Sequence, residues 1–318
     1  MKGKVLFVDT THIVLKEGLT ELGYQCDFFD NYNYGDYCNV VSQYDGVIIR
    51  SKIKIDRNFI DNATNCKFIA RVGAGLENID VEYAETKGIY CLNSPEGNRD
   101  AVGEQAVGML IMLMNNLIRA DHEVRNLIWK RKENRGNEIK ERTIGIIGYG
   151  NMGKAFAQRI ASFGANIIAY DKYKTNFSDE FVKEVSLEEL QRTSDIVSLH
   201  VPLTEETYYM VNSDFLNAFE KSVWLLNTAR GPVVNTQDLT EAIENGKIIG
   251  AALDVLEYEK LGFESIKKDE VPKALEYLLK SDKVVLSPHI AGWTHESNYK
   301  LSKVIVDKVQ ALLDDHKI

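Results

Sequence analysis

Three apolar runs each end in polar residues that could do chemistry. Arg230 follows Val223 to Asn227, Asp254 and Glu259 follow Ile248 to Leu253, and His289 follows Val284 to Ser287. A guanidinium can grip a carboxylate through two parallel hydrogen bonds and polarise an adjacent carbonyl. Gly231-Pro232 turns the chain directly after Arg230 and so restricts its direction. An acid within reach of an imidazole favours the protonated ring, which suits a group that must both accept and donate a proton. Each residue alone reads as an ordinary surface or structural group, and the case lies in their recurrence after successive strands.

A second constellation binds rather than reacts. Thr143 to Ile147 is β-branched and apolar, Gly148, Gly150 and Gly153 follow at G-x-G-x-x-G spacing, and Lys154 to Phe163 reads as a helix. Gly148 permits a tight turn, Gly150 lets the main chain approach a pyrophosphate, and Gly153 lets helix and strand pack closely. The helix N-terminus then offers N–H groups and partial positive charge. The next strand ends in Asp171, near the spacing expected of an acid that binds both ribose hydroxyls and repels a 2′-phosphate, so NAD is favoured over NADP. Lys172 and Lys174 weaken that preference slightly. Gly73 and Gly75 in R-V-G-A-G-L-E-N-I-D permit another close backbone approach. Arg50-Ser51-Lys52 ends the run Gly46 to Ile49, and with Asn98-Arg99 it forms a cluster able to bind a phosphate or to salt-bridge a domain edge.

The elements that must position these residues form two alternating series. The first has strands near Lys4 to Val8, Gln25 to Phe29, Gly46 to Ile49, Lys67 to Ala70 and Ile89 to Leu92. The second has strands from Thr143, near Ile167 to Tyr170, Ile196 to His200, Val223 to Asn227, Ile248 to Leu253 and Val284 to Ser287. Such alternation predicts an α/β chain with two doubly wound parallel sheets. Ala101 to Ala120 reads as one long helix. The closing helix, Glu296 to Leu313, has no strand of its own to cover, so it is expected to return to the first sheet. That makes residues 1–98 with 290–318 one discontinuous domain and 99–289 the other, with the chemistry between them. Arg125 to Arg142 reads as a solvated connector or subunit-contact arm, and Glu257 to Lys280, with its charges at Lys267 to Glu270, as an exposed insertion.

The 318 residues carry 47 acidic against 38 basic side chains, a net charge of -9, which argues against nucleic-acid binding and against adsorption to an anionic membrane. A 44% hydrophobic content supports ordinary globular cores. Cys26, Cys38, Cys66 and Cys91 have neither C-x-x-C spacing nor a His cluster, so no metal site is expected and the thiols read as reduced. The N-terminus runs straight into a strand without a signal-peptide pattern, and Ala106 to Met114 is too short to span a bilayer, so a cytoplasmic protein is expected.

Over almost its whole length the chain resembles the D-isomer-specific 2-hydroxyacid dehydrogenases. The matches are G-Y-G-N-M-G at Gly148 to Gly153, L-L-N-T-A-R-G-P-V-V at Leu225 to Val234, A-L-D-V-L-E-Y-E at Ala252 to Glu259, and S-P-H-I-A-G at Ser287 to Gly292. The resemblance implies a flavodoxin-like substrate domain and a Rossmann NAD-binding domain, with Arg230, Glu259 and His289 as the catalytic trio. It implies cofactor contacts at Tyr149, Gly150, Asn151, Met152, Gly153, Asp171, Thr228, Ala229, Asp254 and Gly292. Asp254 would support the nicotinamide and the imidazole, and His200, Pro202 and Thr207 would lie under the adenosine. It further implies substrate contacts at Arg50, Ser51, Asn98 and the loop Val72, Gly73, Ala74, Gly75, whose N–H groups would bind the substrate carboxylate. Departures are Glu77 for Asp, Ala101 and Gln105 for Ser and His, and Trp293, which could narrow the substrate pocket. Among subfamilies the phosphoglycerate dehydrogenases are the nearest in pattern. 3-Phosphoglycerate therefore stands level with glyoxylate, hydroxypyruvate, D-lactate or another small acid, and serine feedback through a C-terminal domain is not expected. A homodimer packed through the long helix is expected. The rival is a non-catalytic NAD(H)-binding, redox-sensing interaction protein on the same fold.

Overall fold

The computed structural model describes residues 2–29, 31–259 and 271–318. The charged stretch at Lys267 to Glu270 lies outside them. The chain divides into two compact units, Met1–Asn98 with Trp293–Ile318, and Arg99–Gly292.

In the first unit, β1 (Gly3–Phe7), β2 (Tyr24–Phe28), β3 (Gly46–Ile49), β4 (Phe68–Arg71) and β5 (Tyr90–Leu92) form a parallel five-stranded sheet in the order β2-β1-β3-β4-β5. This is the doubly wound order of flavodoxin-type sheets. A strand covered on both faces must be apolar throughout, and Gly46–Ile49 is buried at all its positions. One face packs on Tyr37, Val41, Phe59 and Ile60. The other packs on Leu15 and Leu19 and on Leu301, Ile305, Val306 and Val309, one stripe of the closing helix His295–Asp314.

The second unit holds β6 (Thr143–Ile147), β7 (Asn166–Tyr170), β8 (Lys183–Glu184), β9 (Ile196–Leu199), β10 (Val223–Asn227), β11 (Ile248–Leu253) and β12 (Val284–Leu286). They form a seven-stranded parallel sheet in the order β12-β11-β10-β9-β6-β7-β8. From β6 the chain steps outward to β7 and later returns to β9 on the other side. The strand order reverses there, the place at which open α/β sheets bind ligands beyond the carboxyl ends of their strands. β8, only two residues long, has too short a pattern to be read from sequence.

Two further expectations are corrected. The single helix Ala101 to Ala120 is two helices, Arg99–Met114 and Leu117–Arg125, bent by 64°. Asn116, at φ 53°, adopts the left-handed conformation that stops a helix and that asparagine tolerates better than most residues. The first helix buries Ala106, Met109, Leu110 and Leu113, and no single helix among the described residues is long and apolar enough to cross a membrane. The expected insertion Glu257 to Lys280 ends in a helix, Lys273–Lys280, which is anchored rather than loose because Ala274, Leu275 and Leu278 are buried.

Candidate active site

The glycine turn after β6 is held by contacts that exclude side chains. Gly148 has φ 89°, and a Cβ there would stand 2.5 Å from the His200 carbonyl oxygen; at Gly153 it would stand 2.1 Å from the Gly148 oxygen. A Cβ on Gly150 would meet nothing within 4 Å. The open space is therefore in front of Gly150, where helix Asn151–Ile160 starts without a side-chain cap. Its first-turn N–H groups are left for an anion. At the end of β7 the Asp171 carboxylate accepts from Tyr149 N–H at 2.9 Å and from Tyr173 N–H at 3.0 Å, one on each oxygen. Each oxygen keeps lone-pair capacity for a ribose hydroxyl. Lys172 pairs with Glu206 at 2.9 Å and Lys174 donates to the Tyr149 carbonyl at 2.7 Å, so both lysines that weakened the NAD assignment are engaged elsewhere.

Beyond β9, His200 Nε2 lies 2.8 Å from Ser198 Oγ, and its Nδ1 is buried without a protein partner. Burial pushes this imidazole down to about 3, so the ring is neutral. Thr207 Oγ1 donates to the Pro202 carbonyl at 2.6 Å, which makes it a shaper of the loop. Thr228 Oγ1 is likewise buried without a partner. An uncapped helix start, an open glycine cradle and two orphaned buried polar atoms at one sheet edge fit a dinucleotide.

The reactive groups follow three neighbouring strands, β10, β11 and β12. The buried Asn227 shapes the first turn: its Oδ1 accepts from Ala229 N–H at 3.0 Å and its Nδ2 donates to the Arg230 carbonyl at 3.0 Å. Arg230 Nη1 donates to the Ala229 carbonyl at 2.7 Å. After β11, Glu259 Oε1 accepts from Leu256 N–H at 2.8 Å, and Oε2 lies 2.8 Å from His289 Nδ1. His289 has φ 56°, a left-handed backbone rare in residues other than glycine, and its N–H donates to the Asp254 carbonyl at 2.7 Å. Such an outlier is held by its surroundings and marks a place where geometry serves more than folding.

Asp254, expected to support the nicotinamide and the imidazole, also holds the main chain around His289. Its carboxylate, 1% exposed, accepts from Gln105 Nε2 (2.8 Å), Ser287 Oγ (2.6 Å), Ile290 N–H (2.9 Å) and Ala291 N–H (2.9 Å). The residue is the knot that holds the loop around His289.

In the first unit the glycine loop is only partly available. Val72 N–H donates to Ile49 O and Gly73 N–H to Arg71 O, both at 2.9 Å, so neither fits the expected role as a carboxylate donor. Among the described residues no acceptor faces the N–H groups of Ala74 and Gly75. Arg71 props the loop by donating to the Gly75 carbonyl (2.7 Å) and to the Arg50 carbonyl (3.0 Å). The side chains expected to bind a phosphate make contacts of their own. Lys52 Nζ donates to Tyr37 Oη at 2.9 Å, the Arg50 guanidinium lies 4.5 Å from the Trp293 ring centroid, and Asn98 Oδ1 is buried. On either side of Ser51 in the chain, Arg50 N–H (2.5 Å) and Lys52 N–H (3.4 Å) donate to the Asp9 carboxylate. Burial lowers the Arg50 guanidinium from its ordinary value, and Asp9 partly opposes this.

The family model for the NAD binding domain of D-isomer specific 2-hydroxyacid dehydrogenases matches residues 107–291. This chain belongs to the D-isomer-specific 2-hydroxyacid dehydrogenase family. It is an NAD-dependent oxidoreductase. It is 36% identical over 270 residues to a hydroxypyruvate reductase of Thermotoga maritima, covering 85% of both chains. It is 35% identical to a D-3-phosphoglycerate dehydrogenase of Archaeoglobus fulgidus, over 85% of this chain but 49% of that one. The crystal structure of an Aquifex aeolicus D-lactate dehydrogenase, complexed with NAD and lactic acid, matches with a TM-score of 0.82 at 27% identity, over 99% of this chain and 97% of the other.

Three supports of the dehydrogenase site were given no supporting role from sequence, although Gln105 was noted as a departure and Ser287 as part of a motif. Asn227 was visible as a polar residue ending an apolar strand. Gln105 and Ser287 gave no signal as a pair, since 182 positions separate them.

Proposed function

We propose that the dehydrogenase interconverts a small, unphosphorylated D-2-hydroxy acid of the glycerate or glycolate class and its 2-oxo acid. The observation that carries the reading is the 2.8 Å contact between His289 and Glu259, one strand away from the turn of Arg230. Bound NAD supplies the hydride acceptor. As the C2 hydrogen leaves as hydride, His289 takes the C2 hydroxyl proton on Nε2, and Glu259 holds the resulting imidazolium through Nδ1; in the reverse direction His289 returns the proton. Arg230 orients the carboxylate and polarises the C2 oxygen. In the first unit by itself, the N–H groups of Ala74 and Gly75 are the main-chain donors open to a carboxylate.

The engagement of Lys52 with Tyr37 and the near-full mutual coverage with a hydroxypyruvate reductase support the unphosphorylated substrate. Arg50 keeps 3-phosphoglycerate as the second reading. NADH oxidation with hydroxypyruvate, glyoxylate, pyruvate and 3-phosphohydroxypyruvate decides: a kcat/KM for the phosphorylated acid above that for hydroxypyruvate refutes the first reading. His289→Asn is expected to remove about 10² to 10⁴ of turnover while NADH still binds. Undiminished turnover refutes its role.

We also propose a homodimer, formed on the apolar surface that includes Ile118, Leu127 (81% exposed) and Trp129 (67% exposed). Light scattering at micromolar concentration should give twice the chain mass, and Trp129→Glu should weaken the association. A monomeric wild type refutes it.

A further inference from the structure

Glu257 stands two residues before Glu259, and its carboxylate meets one main-chain N–H and one side-chain hydroxyl. One oxygen accepts from Thr236 N–H at 3.0 Å, and the other accepts from the Tyr209 hydroxyl. Tyr209 is itself tied to the turn after Arg230: its N–H donates to the Pro232 carbonyl at 2.8 Å, and Val211 N–H donates to the Val233 carbonyl at 3.0 Å. The same turn touches the Glu259 loop main chain to main chain. A Cβ on Gly231 would lie 2.0 Å from the Leu256 oxygen and 2.5 Å from Glu257 N.

Leu256 N–H then holds Glu259 Oε1 at 2.8 Å while Oε2 meets His289. One carboxylate thus joins the segment that carries Glu259 to the segment that carries Arg230. Asn235 already caps the helix Thr236–Glu244 at Asp238 N–H, 3.2 Å, and Glu257 takes the separate N–H of Thr236. Tyr209 keeps a left-handed backbone at φ 50°, a conformation that persists only where neighbours over-determine it.

We propose that Glu257 is a positioning residue for the hydrogen-transfer reaction: its carboxylate clamps the Glu259 loop to the Arg230 turn and so keeps the Glu259–His289 pair in register with the guanidinium. The proposal rests on the assignment of Arg230, Glu259 and His289 made above. Displacement of a catalytic pair by about 1 Å can cost about 10²-fold in rate, and the clamp resists a displacement of that kind.

The test uses the full chain with the 2-oxo acid that leads the substrate panel, and compares Glu257→Ala, Glu257→Gln and Tyr209→Phe. Glu257→Ala should lower kcat by about 10- to 100-fold. Its NADH dissociation constant should stay within about twofold, a change of roughly 0.4 kcal/mol, and the midpoint of its pH profile in kcat/KM should move. Glu257→Gln should recover most of the rate, because its amide oxygen still accepts from Thr236 N–H and its NH₂ can donate to the Tyr209 oxygen. Tyr209→Phe should fall between. Wild-type kcat and pH midpoint in Glu257→Ala would overturn the clamp. So would a parallel fall of kcat and NADH affinity, or failure of Gln to recover more activity than Ala. His289→Asn separates the two levels: undiminished turnover there overturns the trio itself, whereas lost turnover there beside an unaffected Glu257→Ala overturns the clamp alone.

Discussion

His200 offers the sharpest test of the physical picture, because its burial makes a numerical claim about pH. The imidazole is shifted from 6.5 to about 3, and desolvation is the cause. A base whose folded value is depressed binds fewer protons folded than unfolded between those two limits. Its contribution to stability is therefore complete above pH 6.5 and is lost as pH falls toward 3. The whole shift corresponds to about 5 kcal/mol, and roughly half of it is lost by pH 4.5. His200→Gln removes the titration and leaves a group able to hydrogen-bond Ser198. Urea unfolding of both proteins at pH 7 and pH 4.5 gives the comparison, since the carboxylates titrate in both and cancel. Wild type should lose about 2–3 kcal/mol more than the variant across that interval. Parallel losses within about 0.5 kcal/mol, inside the usual error of linear extrapolation, would mean that the ring takes up its proton in the folded state and that its burial has been misjudged.

Asp171→Ala should raise the KM for NAD and reduce the preference over NADP by at least about tenfold, or roughly 1.4 kcal/mol; an unchanged ratio would remove Asp171 from cofactor choice. Gly231→Ala places a Cβ 2.0 Å from the Leu256 oxygen, so it should destabilise by about 1–3 kcal/mol through overpacking and lower kcat more than it raises the KM for NADH. Wild-type kinetics would show that the turn and the Glu259 loop separate freely. Asp254→Asn puts an NH₂ where one of four donors now points, at a cost of about 1–3 kcal/mol, or a melting decrease of roughly 2–12 °C for a unit of this size; an unchanged melting temperature would contradict the knot described for this carboxylate.

The parts of the molecule that repeat a local rule were legible in the chain. The glycine spacing at Gly148, Gly150 and Gly153 encodes a turn because only glycine fits it, and the structure meets that turn with a positive φ and carbonyl contacts that no side chain survives. The buried strands of both sheets announced themselves as β-branched runs, since a parallel strand covered on both faces has no polar alternation to offer. The break at Asn116 was not legible, because an asparagine inside an apolar helical pattern is tolerated as often as it is decisive, and packing of the two halves settles which.

The candidate site divides along the same line. Arg230, Glu259 and His289 could be named from their places after strands, because parallel strands deliver their carboxyl ends to one edge whatever the intervening sequence. Tertiary structure alone decided which groups remain available there. Lys174 turns to the Tyr149 carbonyl and Asp254 accepts from residues as distant as Gln105, while in the first unit, taken by itself, Gly73 N–H closes onto Arg71 and Lys52 turns to Tyr37. Hydrogen-bonding capacity belongs to a residue and can be read from its type. How much of it is still unused depends on neighbours brought from elsewhere in the chain, and no local pattern records them.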